Sequence, residues 1–159
     1  KLRILSLEIQ RMPKNNNVLF GNPDTYSYFS VCSTSTHDIS TLREWWETLD
    51  KEKEIYYQSY LHFTDKAPKS CKRAICKEII RQHLESSSMM AIFPIQDWMS
   101  LDKNTRRDNP KEERINDPSD PNNYWQFRIH LTMEKILLNK AFLNKIKQMV
   151  KVSGRIAKK

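Results

Sequence analysis

An aspartate and a histidine lie side by side in Thr36-His37-Asp38, directly after a mostly apolar segment of the chain. A carboxylate next to an imidazole suits the recognition of hydroxyl groups. The same aspartate also comes just before a helical pattern that begins at Ile39, so Asp38 or Ser40 could simply cap that helix. Local evidence favours the cap, and a binding role needs support from the surrounding elements.

A second pair of polar residues, Gln96 and Asp97, follows the apolar segment 89–95. Asp97 also has an alternative role, because an aspartate can fix a loop backbone through an Asx-type hydrogen bond. Open α/β sheets place their binding residues at the carboxyl ends of parallel strands. Both polar pairs come at positions of that kind, so we expect them to approach one another.

The third candidate region is the segment 103–123, which carries Arg114 and Asn116. It is dense in charge, Asn and Pro and has no periodic apolar pattern, so we predict an extended surface loop. A loop of that length in a compact domain is usually functional. The alternative for Arg114 and Asn116 is a surface turn beside Pro118 and Pro121.

The elements that would position these residues follow one another along the chain. Short apolar segments predict buried strands at 3–10, 26–32 and 89–95. Apolar residues at helical spacing predict helices at 39–49, 55–61, 71–84, 125–138 and 141–152, the last ended by Gly154. Strands separated by helices predict a parallel α/β sheet. Three strands cannot close a (β/α)8 barrel, so the pattern fits the C-terminal portion of one, incomplete in this chain, with residues 1–159 as a single unit.

Composition narrows the classes of function. No apolar run approaches the roughly 20 residues of a membrane helix, so no membrane association is predicted. The net charge of +8 suggests nucleic acid, but Lys and Arg are interspersed with Asp and Glu, which ranks that partner last. The three cysteines, Cys32, Cys71 and Cys76, form no CxxC pair, so a metal site is not indicated. We expect buried thiols that act as small apolar residues, which fits a reducing cytoplasm. No metal or other cofactor is predicted. The apolar run that begins at Leu2 without a leader suggests a start in mid-fold.

Several ordered motifs carry a more specific signal. They are Glu8-Ile9-Gln10-Arg11-Met12-Pro13, Ser35-Thr36-His37-Asp38-Ile39-Ser40-Thr41-Leu42-Arg43-Glu44-Trp45-Trp46, Pro94-Ile95-Gln96-Asp97-Trp98, and Glu113-Arg114-Ile115-Asn116-Asp117-Pro118 followed by Tyr124-Trp125. Together they resemble the C-terminal part of the 4-alpha-glucanotransferases, the amylomaltase or disproportionating-enzyme family (glycoside hydrolase family 77), and are closest to the branch that handles maltose. Motifs in order over nearly the whole chain are far more specific than one short pattern.

The resemblance implies a (β/α)8-barrel enzyme that transfers α-1,4-glucan segments or glucosyl units from maltose or malto-oligosaccharides to an acceptor sugar, by retaining double displacement. That chemistry needs a carboxylate nucleophile and a carboxyl acid/base. The family adds a third carboxylate that stabilises the transition state, and the resemblance gives this role to Asp38. It gives sugar binding to the other candidates, His37, Gln96, Asp97, Arg114 and Asn116. Trp125 either stacks on sugar or packs in the core.

The chain departs from the family's pattern at two motifs. The nucleophile belongs to an Arg-x-Asp motif and the acid/base to a Glu-Asp loop, and neither is present. Phe127-Arg128-Ile129-His130 is superficially similar to the first motif but lacks its aspartate. One carboxylate cannot fill three roles, so this chain alone is expected to be inactive and to need the missing N-terminal part of the same protein. The alternative is a non-catalytic module that binds α-glucan or a partner protein.

Overall fold

Three short strands form a parallel sheet in the order β1-β2-β3, with β1 at Ser6–Ile9, β2 at Ser30–Ser33 and β3 at Met90–Ala91. The structure is a computed structural model and describes residues 4–123, 125 and 127–155. Ser6 is in register with Ser30, and Val31 with Met90. The parallel α/β sheet is therefore confirmed. Tyr124 of the fourth motif and the first residue of the predicted strand 3–10 lie outside the described residues.

The connections between the strands differ from one another. Between β1 and β2, where every residue is described, the chain forms a loop whose one regular piece is the 3-10 turn Pro23–Thr25. Between β2 and β3 it forms helix α1 at Leu42–Thr48, helix α2 at Glu52–Ile55 and helix α3 at Arg73–Glu85. Helix α2 continues into a wide π-type turn at Tyr56–Tyr60. The second connection is the helical crossover that the patterns predicted between the second and third strands, and no helix was predicted between the first two.

The third predicted strand was too long. β3 ends at Ala91, and helix α4 occupies Ile95–Met99. Pro94 precedes that helix and has no backbone N–H to give to a neighbouring strand, which explains why the extended segment stops there. Gln96 and Asp97 therefore lie in the first turn of a helix rather than at the end of a strand.

The C-terminal third contains the long predicted loop and two helices. The segment 103–123 is irregular apart from the 3-10 turn Pro110–Glu113, but it is not wholly a surface loop, because Glu113 is buried. The helix predicted at 125–138 is confirmed only for α5 at Met133–Leu138, and α6 occupies Lys140–Val152. Gly154 has a φ of 75°, the left-handed conformation that glycine adopts at low cost, and its N–H donates to the carbonyl of Lys151. It ends α6 as predicted.

The main hydrophobic core lies between α1, the turn after α2 and α3. Trp46 and Ile80 are fully buried there, and the ring of Phe20 from the β1–β2 loop lies 4.6 Å from that of Tyr56. All three cysteines are buried free thiols, as predicted. A smaller cluster of Met99, Ile136 and Phe142 joins α4, α5 and α6. In the part of the chain that the structure describes, no helix has both the length and the apolar character needed to cross a membrane.

Candidate active site

The carboxylate of Asp38 lies on the surface in the loop between β2 and α1, and 47% of its side chain is exposed. Its Oδ1 accepts a hydrogen bond from the side-chain amide of Asn116 at 2.8 Å, and its Oδ2 lies 3.1 Å from Nε2 of His37. The backbone N–H of Asn116 donates to the carbonyl of His37 at 3.1 Å. Two regions that are 78 positions apart in the chain thus meet at one carboxylate.

The orientation of Asn116 is set by its own neighbours. Asn123 donates from its side-chain amide to the Oδ1 of Asn116 at 2.6 Å, which leaves the amide nitrogen of Asn116 to face Asp38. Arg114 donates to the backbone carbonyl of Asn116 at 2.9 Å and pairs with Asp117 at 3.1 Å. Arg114 and Asn116, which were predicted to bind sugar, therefore lie beside Asp38. In these contacts Arg114 shapes the loop that carries Asn116.

An aromatic side chain lies against this group. The ring centroid of Trp125 is 4.9 Å from that of His37, with the rings tilted by 46°. In this chain 61% of Trp125 is exposed, so it lies outside the two hydrophobic clusters described above. Stacking on sugar and packing in the core of the whole protein both remain predictions. A half-exposed carboxylate, an imidazole, an amide and an indole at one place are the kinds of groups that bind a polyhydroxylated ligand.

The loop that carries Asn116 is anchored to α1 by a buried ion pair between Arg43 and Glu113. Arg43 also donates to the carbonyl of Arg107 at 2.7 Å, and Glu113 accepts from the backbone N–H of Arg107 at 3.1 Å. Burial raises the pKa of the Glu113 carboxyl, while the charge of Arg43 opposes that shift. Sequence reasoning missed this anchor, since a charged residue in a polar segment looks like surface.

Asp97 is 1% exposed, and protein groups surround its carboxylate. Its Oδ2 accepts from the hydroxyls of Thr34 at 2.6 Å and Ser35 at 2.5 Å, and its Oδ1 accepts from the backbone N–H of Leu42 at 2.9 Å. These three donors lie on both sides of His37 and Asp38. In this geometry Asp97 holds the distant β2–α1 loop, whereas the Asx-type alternative would have fixed the loop that carries Asp97 itself. Its direct contact with sugar remains a prediction.

Gln96 is also buried, and its side-chain amide lies 3.4 Å from the carbonyl of Glu113, to which it donates. It joins α4 to the loop that carries Asn116, and its contact with sugar also remains a prediction.

Arg11, which follows β1, was not among the predicted site residues. Its guanidinium donates to the hydroxyl and the carbonyl of Ser40 and lies 5.4 Å from the ring of Trp45. Burial lowers the pKa of Arg11 to about 10, and the charge of Asp97 opposes that shift.

Residues that follow each of the three strands therefore contribute to one region: Arg11 after β1, Asp38 in the β2–α1 loop, and Asp97 in helix α4. Among the described residues, no group of three or more His, Cys, Asp or Glu side chains is placed to hold a metal ion. The arrangement is a polar surface centred on the carboxylate of Asp38 and the hydrogen-bonding groups beside it.

Comparison with known structures agrees with a parallel α/β fold of this class. The chain is similar to an amylomaltase from Streptococcus agalactiae solved in complex with acarbose, with a TM-score of 0.70 over 96% of this chain and 28% of that one. The two sequences are 19% identical, so this likeness concerns the fold alone.

Sequence comparison defines the family. The family model described as 4-alpha-glucanotransferase matches residues 1–133. The chain is 44% identical over 156 residues to the 4-alpha-glucanotransferase DPE2 of Oryza sativa subsp. japonica, covering 98% of this chain and 16% of that protein. It is 34% identical over 149 residues to a 4-alpha-glucanotransferase of Chlamydia caviae, covering 89% of this chain and 27% of that protein. The chain belongs to the 4-alpha-glucanotransferase family, and it spans less than a third of the length of these relatives.

Proposed function

We propose that this chain supplies part of the active site of a 4-alpha-glucanotransferase that moves glucosyl units or α-1,4-glucan segments from maltose or malto-oligosaccharides to an acceptor sugar. The observation that carries the proposal is the half-exposed carboxylate of Asp38, held on one side by Asn116 and flanked by His37. A carboxylate fixed in this way is preorganised to bind sugar hydroxyls and to stabilise an oxocarbenium-like transition state.

In the proposed mechanism, the sugar that reacts lies against Asp38 and His37, and Trp125 offers an apolar face to a sugar ring. Asp38 accepts hydrogen bonds from sugar hydroxyls that strengthen as the ring distorts toward the transition state. Gln96 and Asp97 are buried and act indirectly: Gln96 holds the loop that carries Asn116, and Asp97 holds the β2–α1 loop that carries Asp38. The nucleophile and the acid/base of the retaining double displacement come from residues outside these 159.

We further propose that the sheet continues beyond β1 as a (β/α)8 barrel. β1 and β3 are the two edges of the described sheet, and an uncovered edge is a place where another strand pairs. Large apolar side chains on or beside the strands are exposed, including Ile4 at 78%, Leu7 at 49% and Ile92 at 53%. The partner that covers them is the N-terminal part of the same protein, which also supplies the missing carboxylates.

The test is the variant Asp38→Asn in the whole protein that contains this chain. We expect disproportionation of maltotriose to fall by about 100-fold or more, because hydrogen bonds that strengthen in the transition state supply several kcal/mol. Binding of maltotriose, measured by calorimetry, should change little. The matched control is Asp120→Asn, since Asp120 is an exposed carboxylate in the same loop system that accepts one backbone hydrogen bond, from Asn122.

Turnover within about twofold of the wild type would reject the role of Asp38. Glucan binding by a whole protein that shows no turnover at all would favour the non-catalytic module instead. The intact mass of the protein, measured on natural material, provides a separate check: a mass equal to that of these 159 residues would contradict the need for an N-terminal part.

A further inference from the structure

A cavity of about 560 Å³ opens between the start of α3, the residues after α4, and α6. Its lining shares no residue with the group around Asp38. Five of the residues that line it are basic and none is acidic; the basic ones are Lys72, Arg73, Lys77, Arg106 and Lys145. A volume of this size accommodates a small molecule.

These five cations are not neutralised by the protein. Among the described residues, none of them pairs with a carboxylate within 4.0 Å, although the chain contains many such pairs elsewhere. One turn further along α3, Arg81 pairs with both Glu78 and Glu85. The same helix therefore neutralises a cation outside the cavity and leaves the cations inside it unpaired.

Two atoms fix positive charge in place at the cavity. The Nη1 atom of Arg106 is buried and has no hydrogen-bond partner among the described residues. A buried donor without a partner is costly, and more so when it carries charge. Lys145 donates from Nζ to the carbonyl of Leu101 at 3.0 Å, which holds its ammonium group at the cavity rather than out in solvent. Arg106 and Lys145 therefore place two positive charges at the wall of the cavity.

The start of α3 adds to the positive potential. This helix of 13 residues has Lys72 at its N-cap, makes no side-chain cap bond and has no acidic residue in its first turn. The N-terminal end of a helix carries partial positive charge and free N–H groups, so acidic residues or bound anions stabilise it. Here Lys72 and Arg73 bring further positive charge to that end, which is unfavourable unless an anion binds.

We propose that this cavity binds the phosphate group of a small phosphorylated ligand. A phosphate carries close to two negative charges and three strong acceptor oxygens, which match several lysine and arginine donors and a helix N-terminus better than a single carboxylate does. The phosphate comes either from a small inorganic phosphate compound or from a phosphorylated sugar. The inference does not depend on the role of Asp38.

The experiment is calorimetric titration of the whole protein with pyrophosphate, glucose 6-phosphate and glucose at low ionic strength. Both phosphates should bind saturably and more weakly as salt is added, and glucose should give no signal at this site. Tighter binding of pyrophosphate would identify the phosphate alone as the ligand, and tighter binding of glucose 6-phosphate would identify a phosphorylated sugar. Absence of saturable binding by both phosphates would overturn the proposal.

Variants assign the binding to this cavity. Lys72→Gln/Lys77→Gln removes two exposed cations and should weaken phosphate binding about tenfold or more, because charge-assisted bonds to phosphate are strong. Lys51→Gln/Lys66→Gln removes the same charge from exposed positions outside the cavity and should weaken it less than twofold. An equal loss in both double variants would show nonspecific attraction and reject the site. Arg106→Gln gives an independent variant, and circular dichroism verifies that each protein is folded.

Discussion

Removing the carboxylate of Asp97 is expected to loosen the loop that carries Asp38. In Asp97→Ala, the hydroxyls of Thr34 and Ser35 and the backbone N–H of Leu42 all lose their acceptor. Thr34, Ser35 and Asp97 are each at most 2% exposed, so water cannot easily replace the lost bonds. The perturbation therefore acts on a buried network, although Asp38 itself is unchanged.

The magnitude follows from the number and kind of the bonds. A hydrogen bond to a charged group contributes about 1.5 to 3 kcal/mol, and a buried group left without a partner costs about 1 to 3 kcal/mol. The two hydroxyls can rotate toward other acceptors, whereas the N–H of Leu42 cannot. We therefore expect Asp97→Ala to lower the free energy of unfolding by about 3 to 5 kcal/mol, below the simple sum. Asp97→Asn keeps one oxygen for Leu42 and should cost about 1 to 2 kcal/mol.

Urea denaturation measures the global loss, and amide hydrogen exchange localises it. The peptides that cover residues 34–48 should lose protection in Asp97→Ala, while those over α6 should not. If the proposed function is right, glucanotransfer by the whole protein should fall along with the protection. Asp120→Asn is again the control, and it should change neither quantity. A free energy of unfolding within about 0.5 kcal/mol of the wild-type value, with the amide of Leu42 still protected from exchange, would refute the role of Asp97 in positioning the loop. That result would favour direct contact of Asp97 with substrate.

Two further predictions concern buried titratable groups. Burial lowers the pKa of His83 to about 4 from about 6.5, so the folded state binds fewer protons and its stability is complete above pH 6.5 and declines as pH falls toward 4. Urea unfolding should show about 2 kcal/mol less stability at pH 5 than at pH 7 from this group, and His83→Gln should remove that part of the slope. Arg43→Met leaves the Glu113 carboxylate buried without its partner and should cost about 3 to 5 kcal/mol, most of which Arg43→Met/Glu113→Leu should restore. A double variant no more stable than Arg43→Met would contradict that reasoning.

Local patterns predicted α1, α3 and α6, because helix formation depends mainly on neighbouring residues, but they missed α4 and extended α5 too far. The spacing of Leu42, Trp45 and Trp46 predicts α1, and a glycine after the last periodic residue predicts the end of α6. The strand lengths were wrong because an apolar segment is compatible with several conformations. Residues 92–95 are apolar yet leave the sheet, since Pro94 cannot donate to a strand ladder.

The site divides into a part that sequence reasoning reached and a part that depends on tertiary contacts. Asp38 and His37 are adjacent in the chain, so their proximity could be predicted. The contact of Asp38 with Asn116 was not predicted, because nothing local joins positions 78 apart and the resemblance gave each residue only its own contact with sugar. The burial of Glu113 has no local signal at all, since its partner Arg43 lies 70 positions away.

The role of Asp38 was open between a helix cap and a binding carboxylate, and the cap is wrong. Helix α1 begins at Leu42, and its N-cap residue is Thr41, whose side chain makes no capping hydrogen bond. The carboxylate of Asp97 in α4 accepts the hydrogen bond from the backbone N–H of Leu42 instead. An aspartate that caps a helix uses one side-chain oxygen to accept a hydrogen bond from a backbone N–H of that helix. Because a remote and buried carboxylate performs that task here, both oxygens of Asp38 remain outside the helix, where Asn116 and His37 orient them and solvent reaches them. Separating the two tasks lets one aspartate be fixed in the interior while the other remains accessible, which is the condition that a ligand-binding carboxylate on a short loop requires.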